Sequence, residues 1–263
     1  MLTIFSQIFW CFRFQLSIKL KQSDFITLRK GLGMDVYNSY QHLHDWFQTF
    51  AGQRLETEIM ECLQHLELIG FNQSLLQIGD IGQNQLLGDL KFKNHWVYSP
   101  YPSSHANLIG FPTELPFANH SMEVLFAPFI FEMGLEIRPL INELDRVLES
   151  MGYLIIIGLN PLGLWKCSKY FARPSKRQWY QAYRGASFWS VKSMLMSLGY
   201  AQIDAQFFYY IPPLSNPTLI NYFNVINRFA KLIAPYPPSF FMLVMQKRDA
   251  DFTLVGLEKT PLW

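Results

Sequence analysis

Cysteine is scarce: Cys11, Cys62 and Cys167 stand far apart in 263 residues, with no C-x-x-C pair. That rules out a disulfide framework and reads as three reduced thiols in a reducing, cytoplasmic compartment. The six histidines fall at no metal-ligand spacing with cysteine or carboxylate, so no metal site is expected. Neither sign of charge dominates: 22 Lys and Arg face 20 Asp and Glu, a net of +2. No global field therefore points to nucleic acid or to a membrane, and neither is the expected partner. There is no internal repeat or low-complexity tract.

A long apolar run near the N terminus is also lacking. Met1 to Leu20 is interrupted by Arg13 and Lys19, short of the roughly twenty residues a transmembrane helix needs. No basic residue precedes it as a signal peptide requires. Two readings of residues 1–33 stand: an extension upstream of a true start at Met34, or a peripheral membrane contact through residues 1–20.

What the chain has in excess is apolar and aromatic surface. Half of its residues are hydrophobic and 23 are Phe, enough to fill one α/β core and leave apolar wall for a pocket or partner. The stretch Ser74-Leu75-Leu76-Gln77-Ile78-Gly79-Asp80-Ile81-Gly82 reads as a buried strand running into two glycines three apart. A strand, glycine turn and helix N-terminus present backbone N–H groups to a nucleotide-like ligand. The full G-x-G-x-x-G is absent.

Along the chain, residues 35–50 read as a helical lead-in. Leu55, Ile59, Leu63 and Leu66 form one apolar stripe of a second helix, with Glu56, Glu58 and Glu61 near its start and Gly70 at its end. After the first strand come a helix over 83–90, strands at 95–99 and 107–110, and a strand at 124–127. Ile137, Leu140, Ile141, Leu144, Val147 and Leu148 share a helical face. Tyr153 to Leu159 is a continuous apolar run typical of a strand covered on both sides. A helix through Phe188 to Leu198, a strand over 201–210, a helix opened by Asn216-Pro217 and a strand over 240–246 complete the order. Strands alternating with helices imply a mostly parallel sheet.

Leu76-Gln77-Ile78-Gly79, then Glu114-Leu115-Pro116-Phe117, Met122-Glu123-Val124-Leu125, and Asp145-Arg146-Val147-Leu148 before Gly152-Tyr153-Leu154-Ile155-Ile156 together resemble the class I S-adenosylmethionine-dependent methyltransferases. The match is to the small-molecule (type 11) group, and Asn160-Pro161-Leu162-Gly163-Leu164-Trp165 looks like a bacterial, YafS-like branch. The resemblance spans residues 35–247. It implies a Rossmann-like fold: a seven-stranded, mostly parallel sheet with an antiparallel last strand and helices on both faces. It also implies one domain over 34–247, with a basic insert at 165–186 and a helical insert at 212–238, followed by a tail at 248–263.

By position, the resemblance places Gln77, Gly79, Asp80 and Gly82 against the methionine part of S-adenosylmethionine. Ser99 falls where the ribose is held, Thr113, Glu114 and Leu115 border the adenine, and Ala127 and Pro128 form the floor near the sulfonium. Phe129, Asn160, Trp165 and Lys166 face a small-molecule substrate. The chain departs from the pattern at Gln77, where an acid is common, at Ile81, which replaces a glycine, and at Phe111, where an acid often meets the adenine. No acid occurs between Asp89 and Glu114, so the ribose carboxylate is missing. Each charged hydrogen bond is worth roughly 1.5 to 3 kcal/mol, and losing two weakens binding by more than about a hundredfold.

Alternatives remain open at several residues. Asp80 is a cofactor ligand or the cap of the next helix; Glu114 meets adenine or water. The basic, aromatic stretch from Lys166 to Arg184 clamps an anionic substrate or forms a solvated face. Residues 212–238 roof a pocket or pack on the core. His120 is a general base or a turn residue. Methyl transfer from an activated donor is mainly in-line positioning, so no catalytic residue is named. Three functions follow: methyl transfer to a small acceptor, a non-catalytic binding or regulatory module on the same fold, and, least supported, a dinucleotide-dependent oxidoreductase.

Overall fold

The structure, a computed structural model, describes residues 34–66, 74–82, 92–103, 105–167, 186–214, 216–223 and 237–248. The expected extension at 1–33, the helix over 83–90, Gly70, most of both inserts and the tail from 249 lie outside the described residues.

Two helices lead in, α1 (Met34–Phe47) and α2 (Phe50–Gln64). The second starts five residues ahead of its apolar stripe, because Thr49 caps it: the Thr49 hydroxyl accepts from the Gly52 N–H at 3.2 Å. Glu56 and Glu58 therefore lie in the body of α2 rather than at its start. The helix also ends earlier than expected, at Gln64 with His65 as its cap.

The strands follow as β1 (Ser74–Ile78), β2 (Asn94–Ser99), β3 (Leu108–Ile109), β4 (Met122–Pro128), β5 (Leu148–Leu159), β6 (Tyr200–Phe208) and β7 (Phe240–Lys247). Between them lie α3 (Ile137–Val147), the short α4 (Leu164–Cys167) and α5 (Phe188–Ser197). A further helix opens at residue 217, where the Asn216 side chain accepts from the Thr218 N–H at 2.9 Å. The sheet order is β3-β2-β1-β4-β5-β7-β6. Every pairing is parallel except those of β7, which runs against both β5 and β6.

Alternation along the strands divides the core. Leu75, Val124, Phe126, Ile155, Ile157, Met242 and Val244 face α1 and α2, together with Tyr40, Phe47, Leu55 and Ile59. Their neighbours Leu76, Leu125, Ala127, Leu154, Ile156 and Leu243 face the other way, against Leu140, Leu144, Val191 and Leu195 of α3 and α5. Both faces of the sheet are thus covered, as a parallel sheet requires. Each fully buried Leu or Ile contributes about 1.5–3 kcal/mol, which makes the β4–β5 pair the anchor of the molecule.

Candidate functional site

The strand order reverses between β1 and β4, and in an open α/β sheet the crevice beyond the carboxyl ends at that point is where ligands bind. β1 ends in the glycine turn. Gly79 has φ +106° and Gly82 φ +63°, backbone conformations that glycine adopts without strain. The Gly79 N–H donates to the Tyr98 carbonyl at 2.8 Å, and the buried Gln77 amide donates to the Gly79 carbonyl at 2.8 Å. Gln77, the departure from an acid, thus closes the turn from inside. Ile81, the departure from a glycine, is buried in the core beside α1 and α2.

Protein side chains lie over both glycines. A Cβ on Gly79 would sit 3.1 Å from the Tyr40 ring of α1, and one on Gly82 would collide with the Glu56 carboxylate of α2. The N-terminal helices therefore cover the turn, a feature that single-motif reading does not reveal.

Asp80 is completely buried, and neither of its carboxylate oxygens has a hydrogen-bond partner among the described residues. Two histidines flank it: His105 Nδ1 at 3.6 Å from one oxygen and His44 Nδ1 at 4.0 Å from the other. The Tyr101 hydroxyl donates to the Asp80 main-chain carbonyl at 3.2 Å. Burial, and after it the charges of Asp80 and Asp45, pushes the Tyr101 phenol well above its usual range, so it remains a donor. His44, His105 and Tyr101 were not legible as site residues, since they come from α1 and from the loop after β2.

At the end of β2, Ser99 is buried and its hydroxyl accepts from the Tyr101 N–H at 3.3 Å. Thr113 is half-buried, Glu114 is exposed and Leu115 is buried in the core. The Tyr98 hydroxyl donates to the carbonyls of Phe111 and Glu114 at 3.0 and 3.3 Å. Ala127 and Pro128 close β4 and are buried, and Phe129 follows in a left-handed conformation with φ 56°.

A second buried carboxylate stands just past β4. Glu132 Oε1 accepts from the Leu159 N–H at 2.8 Å, while Oε2 has no hydrogen-bond partner among the described residues. Burial pushes its carboxyl up to about 7, against the opposing influence of the Leu159 N–H and Lys166. The Tyr40 hydroxyl is likewise buried without a hydrogen-bond partner among the described residues, and burial, then the Glu132 charge, holds its phenol far above the usual range. Glu132 was missed in the sequence. Its signal is a lone acid in the apolar stretch Phe129-Ile130-Phe131-Glu132-Met133 that leaves a strand.

Asn160 and Trp165 are committed to the scaffold. The Asn160 amide donates to the Pro238 carbonyl at 2.8 Å and its oxygen accepts from the Leu162 N–H at 3.2 Å. Trp165 is buried, donates to the Ile211 carbonyl at 2.8 Å and stacks edge-on to Trp46 with centroids 5.1 Å apart. Lys166 is half-buried beside it. His120 lies apart from these residues, in a turn with φ 51° where β4 begins, its ring nitrogen 3.1 Å from the Leu148 carbonyl. No group of His, Cys, Asp or Glu among the described residues could hold a metal ion, and no described helix is long and apolar enough to cross a membrane.

Whether an S-adenosylmethionine-like group suits these residues turns on Asp80. A buried carboxylate lacking hydrogen-bond donors carries a desolvation cost that an ammonium or a pair of hydroxyls would relieve. The donor set fits at that point. It lacks the second carboxylate after β2.

No protein-family model matches the chain. No curated protein matches it either. Among solved structures it is similar to a SAM-dependent methyltransferase from Archaeoglobus fulgidus, at 13% identity over 74% of this chain and 94% of that one, with a TM-score of 0.51. An S-adenosylmethionine-dependent methyltransferase from Mesorhizobium loti (10% identity, 73% and 97% covered, TM-score 0.48) and the YcgJ protein from Bacillus subtilis (13%, 73% and 99%, 0.49) are also similar. At such identities the likeness is one of fold. Together with the seven-stranded order it defines a Rossmann-like class I methyltransferase fold.

Proposed function

We propose that this protein is an enzyme that transfers a methyl group from S-adenosylmethionine to a small acceptor. The supporting observation is the buried Asp80 carboxylate, flanked by His44 and His105 but without a hydrogen bond among the described residues, in a glycine turn at the switch point of a methyltransferase sheet. When bound, the cofactor supplies an electrophilic methyl group. Asp80 holds its ammonium or ribose, Gly79 and Gly82 supply close backbone, and Gln77 keeps the turn closed. Ser99 lies toward the ribose, Thr113, Glu114 and Leu115 border the adenine, and Ala127 and Pro128 form the floor. Phe129 and Lys166 line the acceptor side, and Asn160 and Trp165 hold that wall in place. The finer assignments, to the small-molecule, YafS-like bacterial branch and to the cytoplasm, belong to the same proposal.

Calorimetry with S-adenosylhomocysteine tests it. Binding that weakens at least about tenfold in Asp80→Asn is expected; no binding at millimolar ligand overturns it. A second reading, a non-catalytic module, is favoured by Tyr40 and Glu56 over the glycines and by the engaged Ser99 hydroxyl. Cofactor binding with turnover on any acceptor eliminates that reading.

A further inference from the structure

The near balance of charge over the whole chain conceals a local imbalance. From Lys166 to Ile203 stand seven Lys and Arg and no Asp or Glu. α5 lies in this stretch. Its inner stripe, Phe188, Val191 and Leu195, is buried against the sheet. Its outer stripe runs through Trp189, Lys192 and Met196, spaced three and four apart and so stacked on one face. Trp189 is 70% exposed and Met196 53%, and Leu198, at the end of the helix, is exposed as well. The Lys192 ammonium stands 5.6 Å from the centre of the Trp189 ring. Phe207 of β6, also exposed, extends this face: the Phe188 ring lies 5.1 Å from that of Trp189 and 4.9 Å from that of Phe207. Large apolar side chains exposed together mark an interaction surface.

The charge around this face has one sign. α5 itself carries no acid. Arg184 precedes the capping Ser187 by three residues, so chain length alone keeps it within about 11 Å of the helix start. The first acid after α5 is Asp204, which lies beside Val244 in the sheet, whereas Phe207 lies beside Phe241. Val244 and Phe241 belong to opposite faces, so the Asp204 carboxylate is on the far side of β6 from α5. Asp145, which meets the start of β6 at the Tyr200 hydroxyl, is paired with the Lys247 ammonium at 3.0 Å.

We propose that the outer face of α5, with Phe207 beside it, docks on the surface of an anionic lipid bilayer. An indole next to an ammonium suits the headgroup layer, where tryptophan is enriched and cations meet lipid phosphate. Met196, Leu198 and Phe207 add apolar area for the acyl boundary, and the serines between them, Ser190, Ser193 and Ser197, bring no charge that must be desolvated. A second copy seated on the same face would set like charges against each other. Nucleic acid would engage the cations and leave the apolar side chains uncovered. The contact is peripheral, since no described helix is long and apolar enough to cross a membrane. It is independent of the glycine-turn crevice and stands whether or not S-adenosylmethionine binds there.

Co-sedimentation of the full chain with vesicles tests this. Phosphatidylcholine vesicles holding about 30% phosphatidylglycerol should bind it at least about tenfold more tightly than phosphatidylcholine alone, and about 0.5 M salt should remove most of the difference. Trp189→Ser and Lys192→Glu should each lose at least about tenfold in binding. Tyr222→Ser, at a comparably exposed aromatic outside α5, should change binding less than about twofold. Thermal melts establish that each variant is folded. No sedimentation at about 1 mM anionic lipid, equal binding to both vesicle types, or binding that survives both α5 substitutions overturns the proposal. The last of these places the contact elsewhere on the chain, residues 1–20 included. Sedimentation velocity without lipid covers the remaining case: a dimer that Trp189→Ser dissociates, with no vesicle binding, assigns the face to a second copy and overturns the lipid reading.

Discussion

At the edge where β4 and β5 begin, Arg146 donates to both oxygens of Glu143, to the carbonyls of Leu115 and Phe117 and to the Asn119 side chain, at 2.7 to 2.9 Å. Glu143 in turn accepts from the Leu115 N–H at 2.6 Å, and this network holds its carboxyl below the usual range. Nearby, Asp145 receives both the Tyr200 hydroxyl at 2.9 Å and the Lys247 ammonium at 3.0 Å. At the opposite, carboxyl edge, Asp80, Glu132 and Tyr40 are buried more deeply, yet each has at least one polar atom without a hydrogen bond among the described residues. The contrast separates polar groups that hold the Leu115-Pro116-Phe117 turn from polar groups that the described residues leave without a hydrogen bond. Satisfied groups stabilise the fold; unsatisfied ones cost stability, and on the proposed reading they serve binding.

That contrast breaks most sharply with pH. Glu132 titrates at its ordinary 4.5 when unfolded and at about 7 when folded. Between those values the folded state keeps a proton that the unfolded state has lost. Stability therefore falls as pH rises through this window, by on the order of 3 kcal/mol, and levels off above it. Urea melts from pH 4.5 to 8 should show the decline in the wild type and not in Glu132→Gln. A decline of the same size in both would show that other groups carry the effect.

Arg146→Ala attacks the satisfied edge and should destabilise the fold by about 2 kcal/mol in a urea melt at pH 7, because it strands the Leu115 and Phe117 carbonyls. Asp80→Asn is the opposite case. It should leave stability equal or higher while weakening S-adenosylhomocysteine at least about tenfold, or about 1.4 kcal/mol, by calorimetry. A stability loss comparable to that of Arg146→Ala would place Asp80 among the structural charges. The smallest change is expected for Tyr98→Phe, which removes the donor to the Phe111 and Glu114 carbonyls and should cost about 1 kcal/mol in thermal unfolding.

Much of the scaffold was legible in the chain. The Tyr153–Leu159 run, the α3 stripe and the short strands around the glycine turn announce themselves by period and apolar content. The site was legible only in part. Asp80 stood out because it lies inside the turn. His44 and Tyr40 did not, because nothing local links α1 to a turn about forty residues later; that link comes from packing α1 on the sheet. Glu132 was hidden in an apolar stretch that reads as core. Trp165, a loop tryptophan that suggested a substrate contact, is buried with its indole N–H on the Ile211 carbonyl, a partner forty-six residues away that no local pattern shows.

The sequence by itself determined the alternation that gives the sheet two buried faces, the glycine positions that permit left-handed backbone, and the missing acid after β2. These are properties of neighbouring residues, fixed by side-chain period and local sterics. Only the tertiary structure decided which buried polar groups find hydrogen-bond partners. Arg146 pairs with Glu143 one helical turn away but reaches the Leu115 and Phe117 carbonyls across about thirty residues, while the buried oxygens of Asp80 and Glu132 Oε2 receive no hydrogen bond from the described residues. Whether a buried charge supports the fold or awaits a ligand depends on what the chain's distant segments place beside it, and no local pattern encodes that.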